Sequence, residues 1–432
     1  MKADLRLLGV VVVACALASC GPDEAPSGTG PAVVVETIGD TTVVRTLSGG
    51  VWGAEATLVP EVSIGELDGP EEYLFGSIWS IAVDDDRNVY VFDEQAHNIR
   101  VFDAIGSYVE TLGGRGEGPG EFGRAEAIAL LPDGRLVVRD PGNQRIQVFG
   151  PGTGELDGWR YDVGGTYSNS PLHTDARGRT FVETRDLSRT DGFFRHIIVI
   201  GPDGTHLDTL PEPSSPLEGP MLVAEYTSER GSATTYSPVP FNPVFQWTVH
   251  PSGHLLTGLP STYRIDLARD DGVLRIERAA DPAPVSDVER AAYRERTIRI
   301  MRDTDPDWSW NGPPIPDHKP FYQELLAGRD GRIWVLLETA GSPVENEDHD
   351  PGNPYSMPVN WVEPLRYDVF EPDGTYLGAV APPEEFGPFP RPVFEGDYVW
   401  AVTEDELGVE RVVRFRITMP PPAPDRIRAQ PS

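Results

Sequence analysis

From Ser77 to Ala127 the chain alternates short apolar runs with turn-forming residues. Ile78–Val83, Val89–Phe92, Ile99–Phe102 and Tyr108–Leu112 are separated by 84–88, 93–98 and 103–107, rich in Asp, Asn and Gly. Apolar β-formers bounded in this way read as antiparallel strands joined by tight turns. Four such strands in about 35 residues make one blade of a β-propeller, a unit of typically 40–50 residues. The following 113–123, GGRGEGPGEFG, is too glycine-rich for a strand and reads as the passage to the next blade.

The second strand recurs six times, as Val89-Tyr-Val-Phe, Leu136-Val-Val-Arg, Thr180-Phe-Val-Glu, Leu255-Leu-Thr-Gly, Ile333-Trp-Val-Leu and Val399-Trp-Ala-Val. Turns such as Pro132-Asp-Gly-Arg and Arg329-Asp-Gly-Arg precede it. Asp-Gly between β runs marks a hairpin, because glycine supplies the positive φ such turns need. A generic β-sandwich would space its turns similarly but has no reason to repeat one turn–strand–turn order six times. The sixth copy ends at Ile417 without a fourth strand, whereas Leu58–Ile64 precedes the first copy unpaired. The expectation is therefore an all-β, six-bladed β-propeller over residues 58–417, closed by this N-terminal strand. One helix is expected as an insertion between blades four and five. In Ser286–Arg302, Ser286 and Glu289 form a capping box, and Val288, Ala292, Ile298 and Met301 form an apolar side.

The segment from Leu112-Gly-Gly-Arg through Gly120-Glu-Phe, followed by an apolar strand and Pro132-Asp-Gly-Arg, resembles the NHL repeat. The chain as a whole resembles bacterial six-bladed β-propeller lipoproteins. That resemblance implies a fold and leaves the reaction open.

The first 19 residues read as a lipoprotein signal peptide. Lys2 and Arg6 precede the apolar Leu7–Leu17, and Leu17-Ala-Ser-Cys20 resembles the lipobox, implying cleavage before Cys20 and its lipidation. Gly21 after the cysteine resembles outer-membrane sorting, so the expected location is the bacterial envelope, at the outer membrane. Residues 20–57 comprise a Pro/Gly/Ser tether and a β-hairpin, Val33–Thr37 with Thr41–Leu47, outside the repeats; 418–432 form a Pro-rich tail. Cys15 and Cys20 are the only cysteines, which excludes thiol catalysis and Cys-type zinc sites in a processed chain. The net charge of −32 argues against nucleic acid and against an anionic membrane surface as partners. Contact with the membrane is expected through the lipid alone, and the chain is expected to be a monomer.

Every long insertion falls on one face of the ring, where links between blades and between second and third strands lie: Pro211–Pro243, Asp281–Pro320 and Glu338–Pro364. Loops of this length are uncommon unless functional or disordered. Trp308, Trp310, Tyr322, Tyr355 and Trp361 offer aromatic surfaces there, and Arg230, Asp317, His318 and Asp348 offer polar groups. The acidic run of Glu345, Glu347, Asp348 and Asp350 surrounds His349 and would suit Ca²⁺, although it lacks the glycine punctuation of a Ca²⁺ loop; no cofactor is expected.

No Gly-x-Ser-x-Gly occurs to support a serine hydrolase. A propeller lyase of the peptide-amidating type would need several inner-strand histidines, and only His173 falls on such a strand. A lactonase-like propeller would place Glu, Asn and Asp around the channel, where Glu126, Asn169 and Glu324 stand at inner-strand starts. Glu126 and His173 are thus the channel's candidate metal ligands. The reading that results is a lipid-anchored envelope protein that binds a small molecule, a glycan or an envelope protein on its decorated face. The alternative is a metal-dependent propeller enzyme of lyase or lactonase type.

Overall fold

The computed structural model describes residues 30–150, 156–160, 171–185, 195–214, 219–228 and 231–420. Cys20, Arg230, Asn169, the signal segment and residues 421–432 lie outside them. The described chain is a six-bladed β-propeller. Blade one comprises Ile78–Val83, Val89–Asp93, Asn98–Phe102 and Tyr108–Leu112, hydrogen-bonded in that order from the innermost strand outward. Blades two and three repeat this arrangement from the inner strands Ala127–Leu130 and Leu172–Thr174. Blades four, five and six begin at Gln246–Val249, Tyr322–Ala327 and Val393–Glu395.

Closure follows the sequence expectation. Ala56–Ile64 pairs antiparallel with the last strand, Glu410–Thr418, with Leu58 opposite Ile417 and Ile64 opposite Val412. The same strand begins beside blade five, where Ala56 and Thr57 pair parallel with Val380 and Ala381. One segment therefore supplies the missing edge of blade six and ties it to blade five. The N-terminal hairpin, Ala32–Ile38 with Thr41–Ser48, is hydrogen-bonded into the ring: its second strand pairs parallel with Gly272–Arg278 and widens blade four to six strands.

The apolar faces meet between blades, so the core is divided into six wedges. Ile81, Val83 and Val91 of blade one pack on Trp400, Val402 and Val412 of blade six. Ala82 and Phe92 meet Val138 and Phe149 of blade two. Similar clusters join blades two and three, three and four, and four and five. Between blades five and six, Trp334 stacks on Phe394 with centroids 4.2 Å apart, among Tyr367, Phe386 and Phe415.

Buried carboxylates fasten the links. Asp93 and Asp140 end the second strands of blades one and two and are fully buried. Asp93 accepts from the Gly76 and Ser77 amides at 2.9 and 3.2 Å, and Asp140 from those of Gly123 and Arg124 at 3.2 and 2.8 Å. Each satisfies backbone donors where the chain enters its own inner strand. Gly113, at φ +82°, has no room for a Cβ, which would stand 2.2 Å from the ring of Phe122. Phe122 in turn packs edge-on against Phe92 and Phe149, so the glycine-rich passage is a packed segment. Asp368 accepts from the Tyr263 and Tyr376 hydroxyls at 2.6 and 2.7 Å and pairs with Arg278 at 3.0 Å, linking blades four and five.

Among the described residues no helix is long and apolar enough to cross a membrane. Trp334 is 1% exposed and belongs to the wedge beside the closing strand. Trp334→Ala should cost about 3–5 kcal/mol, read as a lower urea midpoint with an unchanged slope.

Candidate functional site

The insertions build a module on the face where inner strands begin. The helix Asp287–Thr304 is capped as its sequence predicts, with Ser286 Oγ accepting from the Glu289 amide at 3.1 Å. Its apolar positions divide between two neighbours. Ile298 and Met301 pack with Leu222 and Ala224 of the hairpin Met221–Ser228 and Gly231–Pro238 and with Val239 just after it, whereas Val288 and Ala292 line a cavity on the other side. The single apolar side expected from Val288, Ala292, Ile298 and Met301 is therefore corrected to two faces.

Several candidate ligand residues prove to be architectural. Trp308 is 4% exposed and donates to the Val223 carbonyl at 2.8 Å, inside the core shared by helix and hairpin. Trp310 donates to the Gly312 and Pro313 carbonyls at 3.0 and 2.9 Å and carries the Arg294 guanidinium over its ring. Tyr322 is fully buried between blades four and five and donates to the Arg264 carbonyl at 2.8 Å. A large aromatic after a long insertion met a new core here, which an isolated sequence segment cannot reveal. Asp317 and His318 pair with each other at 2.9 Å in water. Tyr355 is exposed, and Trp361 lines the module's cavity.

The acidic run is not gathered into a metal site. Glu345 lies in an exposed hairpin strand opposite Val359. Asp348 and Asp350 belong to turns of their own loop: the Asp348 amide donates to Asn346 Oδ1, and Asp350 accepts from the Gly352 amide. Glu347 is exposed, and His349 contacts Ser356 Oγ at 3.0 Å. Among the described residues no three metal-ligating side chains converge.

The central channel opens on the same face in a recess of about 480 Å³. Its rim is Trp79, Glu126, His173, Glu324, Phe389 and Arg391. Four of these stand on or beside inner strands, and Phe389 and Arg391 come from the proline-rich link into blade six. The Trp79 and Phe389 rings meet edge to face at 6.5 Å. Arg391 Nε lies 2.8 Å from Glu324 Oε1. Glu126 faces two guanidiniums, Arg139 at 3.6 Å and Arg124 at 3.9 Å. The two rim acids are thus matched by arginines, a poor setting for a hard cation. Burial, with Arg391 nearby, pushes His173 down to about 3, so its imidazole is neutral at physiological pH and offers one donor and one acceptor. The channel candidates Glu126 and His173 are corrected accordingly: each sits in the recess, but beside arginine rather than beside further ligands. Trp79, Phe389 and Arg391 were missed by the sequence reading. Their signal was an aromatic-and-proline link, FGPFPRP, immediately before an inner strand.

A charge cluster fastens the module to blade five. The Lys319 ammonium is fully buried, 3.2 Å from Glu289 and in contact with Glu363, and lies over the Phe241 ring. Burial, then the neighbouring Glu363, raises the Glu338 carboxyl from its ordinary 4.5 to about 7.

A family model described as a 6-bladed beta-propeller matches residues 60–154, from within the closing strand through blade one to the third strand of blade two. A solved member of the DUF4221 family from Bacteroides vulgatus is 12% identical, covering 85% of this chain and 99% of that one at a TM-score of 0.50. Virginiamycin B lyase from Staphylococcus aureus is 11% identical over 84% of this chain and 100% of that one, at 0.40. A gluconolactonase from Xanthomonas campestris is 12% identical over 94% and 100%, at 0.36. At such identities the likeness is one of fold. No curated protein matches the chain.

Glu338 makes the module's attachment pH-dependent. Between about 4.5 and 7 the folded chain keeps a proton that the unfolded chain has released. That stabilisation is complete below 4.5 and is lost as pH rises through 7. Glu338→Gln should remove the dependence. Urea midpoints at pH 5 and pH 8 should show the parent protein losing stability relative to the variant, and an equal difference at both pH values would contradict it.

Proposed function

We propose that this chain is a lipid-anchored binding protein of the bacterial envelope whose channel mouth takes a small polar molecule with an apolar face, such as a sugar. The observation that carries this reading is the rim of the recess. An aromatic pair, Trp79 and Phe389, stands beside the Glu324–Arg391 ion pair and the neutral imidazole of His173. Pockets that hold small molecules combine apolar walls with a few convergent polar groups. Aromatic rings cover an apolar ligand face, while a carboxylate and a guanidinium accept from and donate to hydroxyls on its edge. The module's loops stand on the same side of the ring and would frame the entrance. Anchoring rests on the Leu17-Ala-Ser-Cys20 box, which the Pro/Gly/Ser-rich residues 21–32 follow.

Screening sugars and short peptides by thermal unfolding should find ligands that raise the melting temperature by mass action; a hundredfold excess over Kd adds about 2.7 kcal/mol to the unfolding free energy. Trp79→Ala should weaken such a ligand at least tenfold without unfolding the ring; unchanged affinity would overturn the channel assignment. Cys20→Ser should move the protein from the membrane fraction to the soluble fraction. Retention at the membrane would remove the lipid anchor from this reading.

A further inference from the structure

The cavity on the far side of the helix is separate from the channel and has its own chemistry. It measures about 630 Å³, within the range of small-molecule sites. One wall is a stripe of the helix at i, i+4, i+7 and i+11: Val288, Ala292, Glu295 and Arg299. The opposite wall is one face of the hairpin Ser342–Glu345 and Val359–Val362. Its register sets Pro343 opposite Trp361 and Glu345 opposite Val359, and the two-residue period turns Pro343, Val359 and Trp361 to the cavity. Met357 closes the groove from the loop between the hairpin strands. The lining is mostly apolar, and side chains from the two walls do not fill the space between them.

Two donors on these walls lack acceptors. Arg299 Nε and Trp361 Nε1 are both buried and have no hydrogen-bond partner. A second Arg299 nitrogen donates to the Ser356 carbonyl at 2.6 Å, so the guanidinium is held in place. A buried donor without an acceptor costs about 1–3 kcal/mol, and a water, an ion or a ligand can supply the missing acceptor. Glu295 is the cavity's carboxylate and is exposed, so water screens it. The cationic donor is the more enclosed of the two.

We infer that this groove is a second binding site, for an amphipathic monocarboxylate: an alkyl or aryl-alkyl body lies between helix and hairpin, and its carboxylate accepts from Arg299 and Trp361. A neutral alcohol would fill the groove without satisfying the cation. An amine would bring a donor to donors.

Titrating the purified full chain with octanoate, octan-1-ol and octylamine, followed by tryptophan fluorescence and calorimetry, tests this assignment. Octanoate should bind about tenfold more tightly than octan-1-ol, the worth of one charge-assisted hydrogen bond, and octylamine most weakly. Arg299→Met should abolish the preference for octanoate over the alcohol, and Trp361→Phe should weaken octanoate several-fold. Ala292→Trp fills the groove and should block binding while leaving the melting temperature in place. Trp79→Ala, in the channel, should leave octanoate binding unchanged. Octanoate that binds no better than octan-1-ol, or that still binds the Ala292→Trp protein, would overturn the proposal. Should Arg299→Met fail to fold, the Trp361→Phe and Ala292→Trp results decide the matter.

Discussion

Every sheet in this molecule has an outer edge, and blade six takes its outermost strand from the start of the ring. The pairing of Ala56–Ile64 with Glu410–Thr418 completes that edge. Without it, blade six would expose a row of unpaired amides and carbonyls, and the apolar residues Leu58 and Ile64 would leave their wedges. Because each wedge is shared by two blades, loosening one blade exposes the faces of both neighbours. The stability of the ring is therefore collective, and the aromatic stack of Trp334 on Phe394 stands at the joint where chain start and chain end meet.

Polar groups do the rest of the positioning. Asp93 and Asp140 hold the entries to blades one and two, and Asp368 gathers two phenols and a guanidinium across blades four and five. Lys319 does the equivalent for the inserted module, lying between Glu289 of the helix and Glu363 of the link back into blade five. Burying such groups is tolerable only because each has partners, and removing one partner leaves a costly charge behind. These pairs join the module's helix to blade five, on whose hairpin the cavity's second wall stands.

The same economy decides what the channel can hold. Arginines stand opposite both rim acids, and His173 is neutral, so the recess presents matched polarity beside two aromatic rings. This differs from the acid-lined mouth that the isolated positions of Glu126 and Glu324 suggested. Electrostatics at the mouth depends on Arg139 and Arg391, which reach these acids from a second strand and from a link. Arg139 meets Glu126 within the hairpin of blade two, whereas Arg391 meets Glu324 only when blades five and six stand side by side.

The repeat itself was written in the chain. Period-two apolar runs and Asp-Gly turns specify strands locally, and six repeats with an unpaired strand at each end determine a closed ring, because no other arrangement pairs both edges. The capping box of the helix was likewise local and legible. Tertiary structure alone decided the destinations of the insertions. Trp308 and Tyr322 looked like exposed ligand surfaces, yet each entered a core built from segments distant in sequence, where the gain from burying an aromatic ring exceeds what a solvated loop offers. The helix stripe of Val288, Ala292, Glu295 and Arg299 acquired a facing wall only when the hairpin of blade five folded back against it. Periodicity describes one element at a time, whereas a cavity is a relation between two.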